Sequence, residues 1–559
     1  MLYPQSNIYR NVYNLNGLWK FRTVDDMYDP AKPLQTDKIM AVPASYNEIV
    51  VEKSLRDYIG KVAYEREFSV PLFKEQEYRL RIGAASHKFE VFINGKKVGN
   101  GINGYFPVNI PLIGLTAKNR LTIVIDNVLD FWTFPPGVIE DGRQTINFDF
   151  YNFTGIHRDV LLYTLPEKHI EDIVVNTVYE DDYRKIKVDI ESNCDEVEYT
   201  VFDQDGNEIV KSTENVFEIE RPILWEAGKS YLYTLRVRTE TDEYEERFGI
   251  RKVSYDEKGL YLNDRFVYLK GVGMHDDFFI IGKANNSAVN IRNFELLKWL
   301  GVNSVRTSHY PYSEEFMRLA DEYGIMVIDE LPAVGMNAFR GEGNFTPNRM
   351  NDRTKTLHKE LVKQLLARDK NHPSVVMISV ANEPATEEDS ARTYFKDVID
   401  YTRTLTKLPI MIAEVTKFNQ ESKVADLVDF TALNRYYGWY EEHGNLYRTE
   451  SMLKDEFYKW HEKYGKPIIV TEFGADTLEG LHMLPSETFS EEYQKEFLEE
   501  NCRVFDEMDF VVGEHVWNFA DFKTKQGVIR ARGNRKGIFT RERQPKAAAF
   551  WLKERWKNK

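Results

Sequence analysis

The chain has 559 residues and a net charge of −15, with 74 basic and 89 acidic side chains. Hydrophobic residues make up 42% of the sequence and aromatic residues 13%, which predicts several packed domains and excludes a disordered chain. The acidic balance argues against a nucleic-acid partner, because phosphate binding needs a basic surface. No apolar run approaches the roughly 18 residues that a membrane-spanning helix requires, so we expect no membrane partner.

Two features of the sequence bear on its cellular compartment. Cys194 and Cys502 lie in segments that we assign to different domains, so we expect no disulfide framework. Residues 1–7 lack a basic start followed by an apolar core, which is the pattern of a signal peptide. Both observations predict a cytoplasmic protein.

Residues 1–166 contain short alternating runs of polar and apolar residues that are broken by turns. Residues 88–93 and 120–125 are examples, and Asn94-Gly95 after the first run is a strong signal of a tight hairpin. Long helical patterns are absent from this region. The pattern predicts a β-sandwich of the jelly-roll type.

Residues 167–255 again show short alternating runs, as at 185–190 and 231–237, with a turn at Asp205-Gly206. About seven short strands in a segment of this length are typical of an immunoglobulin-like sandwich. Neither β-region contains a convincing catalytic cluster. We therefore expect both to serve as scaffold, sugar-contacting surface or subunit contact.

From residue 256 to 559 buried strands alternate with amphipathic helices, such as those at 294–300 and 355–368. This alternation is typical of a parallel sheet built from βα units. Eight strands are predicted, which is the number in a (β/α)8 TIM barrel. Their ends are predicted near His275, His309, Glu330, Glu383, Glu414, Asn434, Glu472 and Trp517.

Two of these strands end in a glutamate. Residues 375–384 read VVMISVANEP, an apolar, β-branched run that stops at Pro384 because proline cannot donate to a sheet ladder. Glu383 is thereby left at the sheet edge where parallel α/β proteins build active sites. Residues 467–474 have the same design, with Glu472 before Gly474.

A glutamate at one strand end is as readily explained by a structural ion pair. Two of them, on the fourth and seventh strands of one barrel, favour the carboxyl pair that cleaves a glycosidic bond. One carboxyl protonates the leaving oxygen and the other attacks the anomeric carbon. We expect the pKa of Glu383 to be raised relative to that of Glu472, because the acid must start the cycle protonated.

Further side chains are predicted at the same barrel mouth. Asn382 is placed to hold a sugar hydroxyl or to orient the nucleophile, and Tyr436, Tyr440 and Trp517 suit sugar stacking. For Tyr437 we favour packing at the barrel rim. A separate group of acidic residues and histidines lacks the spacing of a metal-binding motif, so we expect neither a metal nor a cofactor. Its members are His275, Asp276, Asp277, His309, Asp329 and Glu330.

The loop at residues 530–537 reads RARGNRKG and carries four cations in an acidic protein. As a bare charge run it is explained by a solvated basic turn. Its position after the eighth strand places it beside the mouth, where a fixed cation would select an anionic ligand. This position favours a sugar acid over a neutral sugar.

Several runs of the sequence resemble glycoside hydrolase family two and, within it, the β-glucuronidases. The resemblance covers essentially the whole chain. The glutamates of strands four and seven are typical of the wider group, and the Asn-x-Lys run is typical of the glucuronidases. The matching runs are residues 152–158, 306–312, 371–374, 382–384, 434–440, 471–476 and 534–537.

This resemblance implies a retaining exo-β-D-glucuronidase in which Glu383 is the acid/base and Glu472 the nucleophile. It implies that Asn534 and Lys536 grip the sugar carboxylate. It also implies a homo-oligomer, namely a tetramer, acting on small-molecule glucuronides or glucuronide-terminated oligosaccharides. Further glucuronide contacts are implied for Asp149, His309, Asn434, Tyr436, Tyr440, Trp517 and Arg530.

One segment departs from the family pattern. Residues 335–353 are shorter than the loop that closes over the aglycone in the family's best-known bacterial members, so we expect bulky glucuronides to be accepted. Two alternatives stay open: a β-galactosidase- or galacturonidase-like relative, and a non-catalytic carbohydrate-binding protein. The presence of both glutamates counts against the second.

Overall fold

The computed structural model describes residues 2–102, 104–179, 185–192, 196–337, 339 and 341–559. The first part of the chain forms a β-sandwich. Two short helices are α1 (Tyr46–Ile49) and α2 (Lys53–Arg56). The strands are β1 (Val12–Asn14), β2 (Gly17–Val24), β3 (Ile39–Val42), β4 (Ala44–Ser45), β5 (Lys61–Ser69), β6 (Gln76–Ile82), β7 (Ala85–Ser86), β8 (Lys88–Ile93), β9 (Lys96–Gly101), β10 (Val108–Leu112), β11 (Lys118–Asp126), β12 (Val138–Glu140), β13 (Arg143–Thr145), β14 (Gly155–Ile156) and β15 (Val160–Pro166).

Two antiparallel sheets face each other in this sandwich. One has the order β3-β2-β5-β11-β8-β9 and the other β1-β15-β6-β10. Trp19 and Ile123 from the first sheet share a buried core with Leu80 and Leu162 from the second. Successive side chains of a strand point to opposite faces, so the alternating sequence runs place their apolar residues in this core. The predicted sandwich is confirmed.

The second part of the chain is a smaller sandwich. Its sheets have the orders β16-β17-β20 and β19-β18-β21-β22, with Val201, Leu235 and Phe248 in the core between them. Seven strands in the described residues agree with the predicted immunoglobulin-like domain. They are β16 (Ile173–Tyr179), β17 (Lys185–Ser192), β18 (Glu198–Phe202), β19 (Glu208–Ser212), β20 (Val216–Glu220), β21 (Tyr233–Arg238) and β22 (Glu243–Phe248).

A three-stranded meander links this sandwich to the barrel. It consists of β23 (Val253–Asp256), β24 (Gly259–Leu262) and β25 (Arg265–Val267). Leu260 and Leu262 share a buried cluster with the barrel residues Met411 and Ile469. The domain boundaries placed at 166/167 and 255/256 stay predictions.

Eight parallel strands close into a barrel, because β26 pairs with both β27 and β33. The predicted TIM barrel is confirmed. Its strands are β26 (Leu269–Gly273), β27 (Ser304–Arg306), β28 (Met326–Glu330), β29 (Val375–Asn382), β30 (Ile410–Glu414), β31 (Thr431–Asn434), β32 (Ile468–Phe473) and β33 (Val511–Val516). Its helices are α3 (Ser287–Leu300), α4 (Glu314–Tyr323), α5 (Asp352–Asp369), α6 (Asp389–Leu405), α7 (Thr449–Tyr464), α8 (Glu491–Asp506) and α9 (Ala547–Asn558).

The connection between β30 and β31 departs from the regular βα alternation. Residues 415–430 are all described, and they contain a single turn of 3-10 helix at Phe418–Gln420 where the other connections contain an α-helix.

Among the described residues, no helix is long and apolar enough to cross a membrane. Cys502 is a buried free thiol in α8, and Cys194 lies outside the described residues.

Candidate active site

Glu383 is the first residue after β29, and its backbone is turned sharply. Its φ angle is +49°, in the left-handed region that a residue other than glycine rarely adopts. The Glu383 amide donates to the Ala413 carbonyl at 2.8 Å, and the Asn337 side-chain amide donates to the Glu383 carbonyl at 2.6 Å. These two bonds hold the turn that aims the carboxyl away from the strand.

The carboxyl of Glu383 lies in a chain of amide side chains. Glu383 Oε1 accepts a hydrogen bond from Asn434 Nδ2 at 2.8 Å, and the same nitrogen lies 3.3 Å from Asn382 Oδ1. Thr471 donates to Asn434 Oδ1 at 2.7 Å, which fixes the amide orientation. The structure therefore brings the predicted residues Asn382 and Asn434 beside Glu383.

Glu472 lies in β32 and is only 4% exposed. Its Oε1 accepts a hydrogen bond from the guanidinium of Arg306, and its Oε2 accepts one from the Tyr436 hydroxyl at 2.6 Å. His309 Nε2 lies 3.8 Å from Oε1. Two donors, one of them charged, thus hold both carboxyl oxygens in place.

A second layer of charged groups supports this arrangement. Arg306 is fully buried, and it also donates to Glu330 Oε2 at 2.7 Å and to Asn382 Oδ1 at 3.2 Å. His309 Nδ1 is 2.9 Å from Glu330 Oε1, and the Trp517 ring stacks on His309 with centroids 5.1 Å apart. The described residues contain no group of histidine, cysteine, aspartate or glutamate side chains placed to hold a metal ion.

Burial acts on both carboxyl groups. It raises the pKa of Glu472 to about 8, against the opposing charge of Arg306, and it also raises the pKa of Glu383. A pKa of about 8 for Glu472 opposes the prediction that the pKa of Glu383 is raised relative to that of Glu472. The hydrogen bonds, in contrast, favour that prediction. Arg306 and Tyr436 stabilise the ionised form of Glu472, whereas the bond that Glu383 receives from Asn434 comes from a neutral amide. These hydrogen bonds favour Glu472 as the ionised carboxyl of the pair and Glu383 as the one that holds a proton.

The basic loop after β33 contributes a buried cation. The Lys536 ammonium is fully buried and contacts the Asp476 carboxylate, and it lies 2.7 Å from the Tyr440 hydroxyl. Burial lowers the pKa of Lys536 to about 8, and the charge of Asp476 opposes this shift. The alternative interpretation of this loop as a solvated basic turn therefore does not hold for Lys536.

Asn534 and Arg530 form a cluster with Lys536 and Tyr440, and we call it the sugar-acid cluster after the ligand that the sequence predicts for this loop. Asn534 Nδ2 donates to Asp149 Oδ2 at 3.0 Å, and Arg530 Nη2 lies 2.7 Å from the same oxygen. Asp149 belongs to the first sandwich, so two domains meet here. The Tyr440 ring contacts that of Tyr436 edge-on at 4.9 Å, which connects the cluster to Glu472.

Some residues of the same runs point elsewhere. Tyr437 is buried and donates to Glu456 of α7 at 2.7 Å, in agreement with packing at the rim. Arg535 pairs with Asp521 at 3.0 Å, and Arg532 is exposed. Neither arginine belongs to the sugar-acid cluster.

Four residues near the site were not predicted as its partners. Arg306, Asn337 and Asp476 make the contacts described above, and the first and last of them stand inside the runs that carry the family resemblance. Glu414 ends β30 and is almost fully buried. Its position at the end of a predicted strand indicated that it lies near the barrel mouth, but the sequence did not indicate its hydrogen-bond partners.

The Glu414 carboxyl ties the loop that carries Glu383 to the neighbouring strand. Its Oε2 accepts from the Thr386 hydroxyl at 2.6 Å and its Oε1 from the Ser422 hydroxyl at 2.7 Å. Thr386 lies three residues beyond Glu383, whose own amide bonds to Ala413. Burial raises the pKa of Glu414 to about 7.

A TIM barrel that presents two carboxyl groups at the carboxyl ends of its strands has the architecture of a glycoside hydrolase. The sequence matches "Glycosyl hydrolases family 2, TIM barrel domain" over residues 253–559, the sugar binding domain of that family over 12–166, and "Glycosyl hydrolases family 2" over 168–251. The chain therefore belongs to glycosyl hydrolase family 2.

Similar proteins cover the whole length of the chain. A curated β-glucuronidase of Paenibacillus borealis is 41% identical, covering 100% of this chain and 98% of the relative. The solved β-glucuronidase of an uncultured Clostridium species superimposes with a TM-score of 0.96 at 44% identity, covering 100% of both chains. The Ruminococcus gnavus β-glucuronidase in complex with uronic isofagomine has a TM-score of 0.92 at 37% identity, covering 99% of each chain.

Proposed function

We propose that the protein is a retaining exo-β-D-glucuronidase that releases glucuronic acid from β-glucuronides. The observation that carries this proposal is the fully buried ammonium of Lys536, connected through Tyr440 and Tyr436 to the carboxyl of Glu472. A fixed cation beside a glycosidase carboxyl pair selects a sugar acid. The names of the similar proteins support the same substrate.

In the proposed reaction Glu383 donates its proton to the glycosidic oxygen while Glu472 attacks the anomeric carbon. The bond to the aglycone breaks, and a covalent glucuronyl-enzyme forms on Glu472. Glu383, now ionised, takes a proton from water, and that water displaces the sugar from Glu472. A retaining pair requires carboxyl groups about 5–5.5 Å apart.

The hydrogen bonds support this division of roles. The Arg306 guanidinium and the Tyr436 hydroxyl stabilise Glu472 as an anion, the form that a nucleophile needs. Glu383 has a neutral amide as its side-chain partner, which leaves it able to hold a proton. Asn382 and Asn434 are proposed to hold sugar hydroxyls beside it.

The sugar-acid cluster is proposed to bind the substrate carboxylate through Lys536, Asn534 and Arg530. The present partners of these donors are Asp149 and Asp476, so binding a substrate carboxylate exchanges one anion for another. Proposed contacts to the remaining sugar atoms come from Asp149, His309, Tyr436, Tyr440 and Trp517.

A comparison of chromogenic substrates tests the proposal. The aryl β-glucuronide should be hydrolysed with a far higher kcat/KM than the matching β-galactoside, β-galacturonide and β-glucoside. The galacturonide arm separates the galacturonidase alternative, since it keeps the carboxylate and changes the configuration at C4. Turnover of the galactoside or galacturonide in preference to the glucuronide would contradict the proposal.

The segment 335–353 is proposed to leave the aglycone side open, although its residues 338 and 340 lie outside the described part of the chain. We expect a glucuronide-terminated oligosaccharide to be hydrolysed with a kcat/KM comparable to that of a small aryl glucuronide. An overwhelming preference for the aryl substrate would contradict this. The homo-oligomer and the cytoplasmic location are also proposals, and light scattering after size-exclusion chromatography tests the first.

A further inference from the structure

A short stretch of the first sandwich lies against the proposed active site. It comprises residues 147–150, which read NFDF and follow β13 in the chain, and we call it the strap. Asp149 of the strap contacts Arg530 and Asn534 of the sugar-acid cluster. The other three residues take no part in the proposed reaction, yet each of them packs against or bonds to the barrel.

One end of the strap contacts residues 333–337, which follow β28 of the barrel. Asn147 Nδ2 donates to the Asn337 carbonyl at 2.9 Å. Gly335 allows this close approach, because a Cβ atom there would lie 3.3 Å from the Phe148 ring and 3.4 Å from the Asn147 carbonyl carbon. The φ angle of Gly335 is +76°, which also favours glycine. The strap therefore lies directly against the backbone of residues 333–337.

Residues 333–337 also lie beside the turn that carries Glu383. The backbone amides of Asn382 and Ala385, on either side of this glutamate, donate to carbonyls of residues 333–337 at 3.0 and 3.1 Å. Asn337 Nδ2 donates to the carbonyl of Glu383 itself at 2.6 Å. The Asn337 carbonyl thus accepts from the strap while its side chain donates to Glu383, so one residue joins the sandwich to the acid/base.

The other end of the strap reaches the surroundings of Glu472. The Phe150 ring stacks on that of Phe148 with centroids 4.3 Å apart and on that of His309 with centroids 6.1 Å apart. His309 Nε2 lies 3.8 Å from Glu472 Oε1. The strap therefore borders the surroundings of both carboxyl groups of the proposed pair.

The backbone at Glu383 is strained and needs support from its neighbours. Its φ angle of +49° costs free energy for a residue other than glycine, and such a conformation persists only where surrounding contacts hold it. Rotation of the peptide group after Glu383 would redirect the carboxyl, and the carbonyl of that peptide is the group that Asn337 binds. We propose that Asn337 and Asn147 are positioning residues for the acid/base: Asn147 orients Asn337, and Asn337 holds the turn at Glu383. This inference rests on the proposed function, which makes Glu383 the acid/base.

Asn337→Ala and Asn147→Ala test the proposal through the dependence of the rate on the leaving group. A misplaced acid protonates the glycosidic oxygen poorly, and a displacement of about 1 Å costs up to roughly a hundredfold in rate. Asn337→Ala should therefore lower kcat/KM about tenfold on an alkyl β-glucuronide, which has a poor leaving group, and no more than about twofold on an activated aryl β-glucuronide. Asn147→Ala should act in the same direction with a smaller effect, because Asn337 keeps its bond to Glu383.

Asn344 provides a matched control in the same connection between β28 and α5. It is buried, and its Nδ2 donates to Glu388 Oε1 at 2.7 Å. Asn344→Ala makes the same chemical change without touching the Glu383 carbonyl. It should lower the unfolding temperature and leave the ratio of the two kcat/KM values within about twofold of the wild-type ratio. A general loosening of the connection would instead lower the ratio in both asparagine variants.

The proposal is overturned if a folded Asn337→Ala variant keeps the wild-type ratio, if Asn344→Ala lowers the ratio as much as Asn337→Ala does, or if Asn147→Ala leaves the ratio unchanged. If Asn337→Ala does not fold, Asn147→Ala decides alone. Glu383→Ala, measured alongside, separates this inference from the proposed function. An unchanged ratio in Glu383→Ala contradicts the proposed reaction itself, whereas a lowered ratio there with an unchanged ratio in Asn337→Ala contradicts only the positioning role.

Discussion

Replacing Lys536 by methionine tests the origin of the proposed specificity for a sugar acid. The substitution removes the ammonium and keeps most of the side-chain volume. Glucuronate differs from glucose in one place, where a carboxylate replaces the hydroxymethyl group. A hydrogen bond to a charged group is worth about 1.5–3 kcal/mol, which corresponds to a loss of roughly ten- to 150-fold in kcat/KM on glucuronides. Activity on the matching glucoside should stay constant or rise.

The structure allows a matched control for this substitution. Lys546 is also buried and pairs with Asp521 at 2.8 Å, beneath the same loop. Lys546→Met makes the same chemical change outside the sugar-acid cluster, so it should lower stability without changing the ratio of the two activities. After Lys536→Met, Asp476 keeps the Arg535 amide at 2.8 Å and Arg530 at 3.4 Å, which limits the cost to the fold.

The measured quantity is the ratio of kcat/KM for an aryl β-glucuronide to that for the aryl β-glucoside, together with the thermal unfolding temperature. Because Arg530 is able to compensate in part, the combination of Lys536→Met with Asn534→Ala is the more decisive variant. If that variant is folded and keeps a near wild-type ratio, the cluster does not recognise the carboxylate. The physical basis of the sugar-acid assignment would then be lost.

Four further predictions concern the carboxyl groups. Glu472→Gln should abolish turnover without lowering the unfolding temperature by more than a few degrees, and residual turnover above a few per cent would exclude it as the nucleophile. Glu383→Ala should cost roughly 10²–10⁴-fold on glucuronides with poor leaving groups and far less on activated aryl glucuronides. Because the reaction needs Glu383 protonated and burial raises its pKa, wild-type kcat/KM should fall as the pH rises past that raised pKa. The activated substrate should lose this alkaline limb in Glu383→Ala, and an unchanged limb would assign it to another group. Glu414→Ala should lower kcat on glucuronides with poor leaving groups about tenfold, and Thr386→Val should have the same effect. Ser422→Ala should leave this kcat unchanged, and Glu414→Gln should restore the activity that Glu414→Ala loses.

The barrel could be predicted from the sequence because its signals are local. A strand buried on both faces reads as a short apolar run, and the polar residue that ends it marks the edge of the sheet. This reasoning located the end of each barrel strand and, with it, Glu383 and Glu472. It did not anticipate that the connection between β30 and β31 has no α-helix, since the alternation of the other units suggested a regular repeat.

The partners of the site residues could not be predicted in the same way. Arg306 and Glu472 are separated by 166 residues in the chain, and Arg530 and Asp149 by 381. Such contacts depend on the closure of the barrel and on the docking of the sandwich, neither of which leaves a periodic pattern in the sequence. The roles of the site residues stay predictions until the substitutions above are measured.

The first sandwich supplies Asp149, the carboxylate that contacts Arg530 and Asn534 of the sugar-acid cluster, and this contact explains an arrangement that the barrel alone does not. Arg530 and Asn534 reach the carboxylate of Asp149, and Lys536 reaches that of Asp476, so the cations near the mouth are already balanced by the protein. Uncompensated cations at this depth would cost several kcal/mol each, which forbids an open cation pocket. In the proposed site, a substrate carboxylate therefore gains affinity from the difference between two sets of contacts rather than from their sum. The proposal thus makes selectivity for a sugar acid depend on a carboxylate from another domain, with the docking of the sandwich against the barrel as its condition.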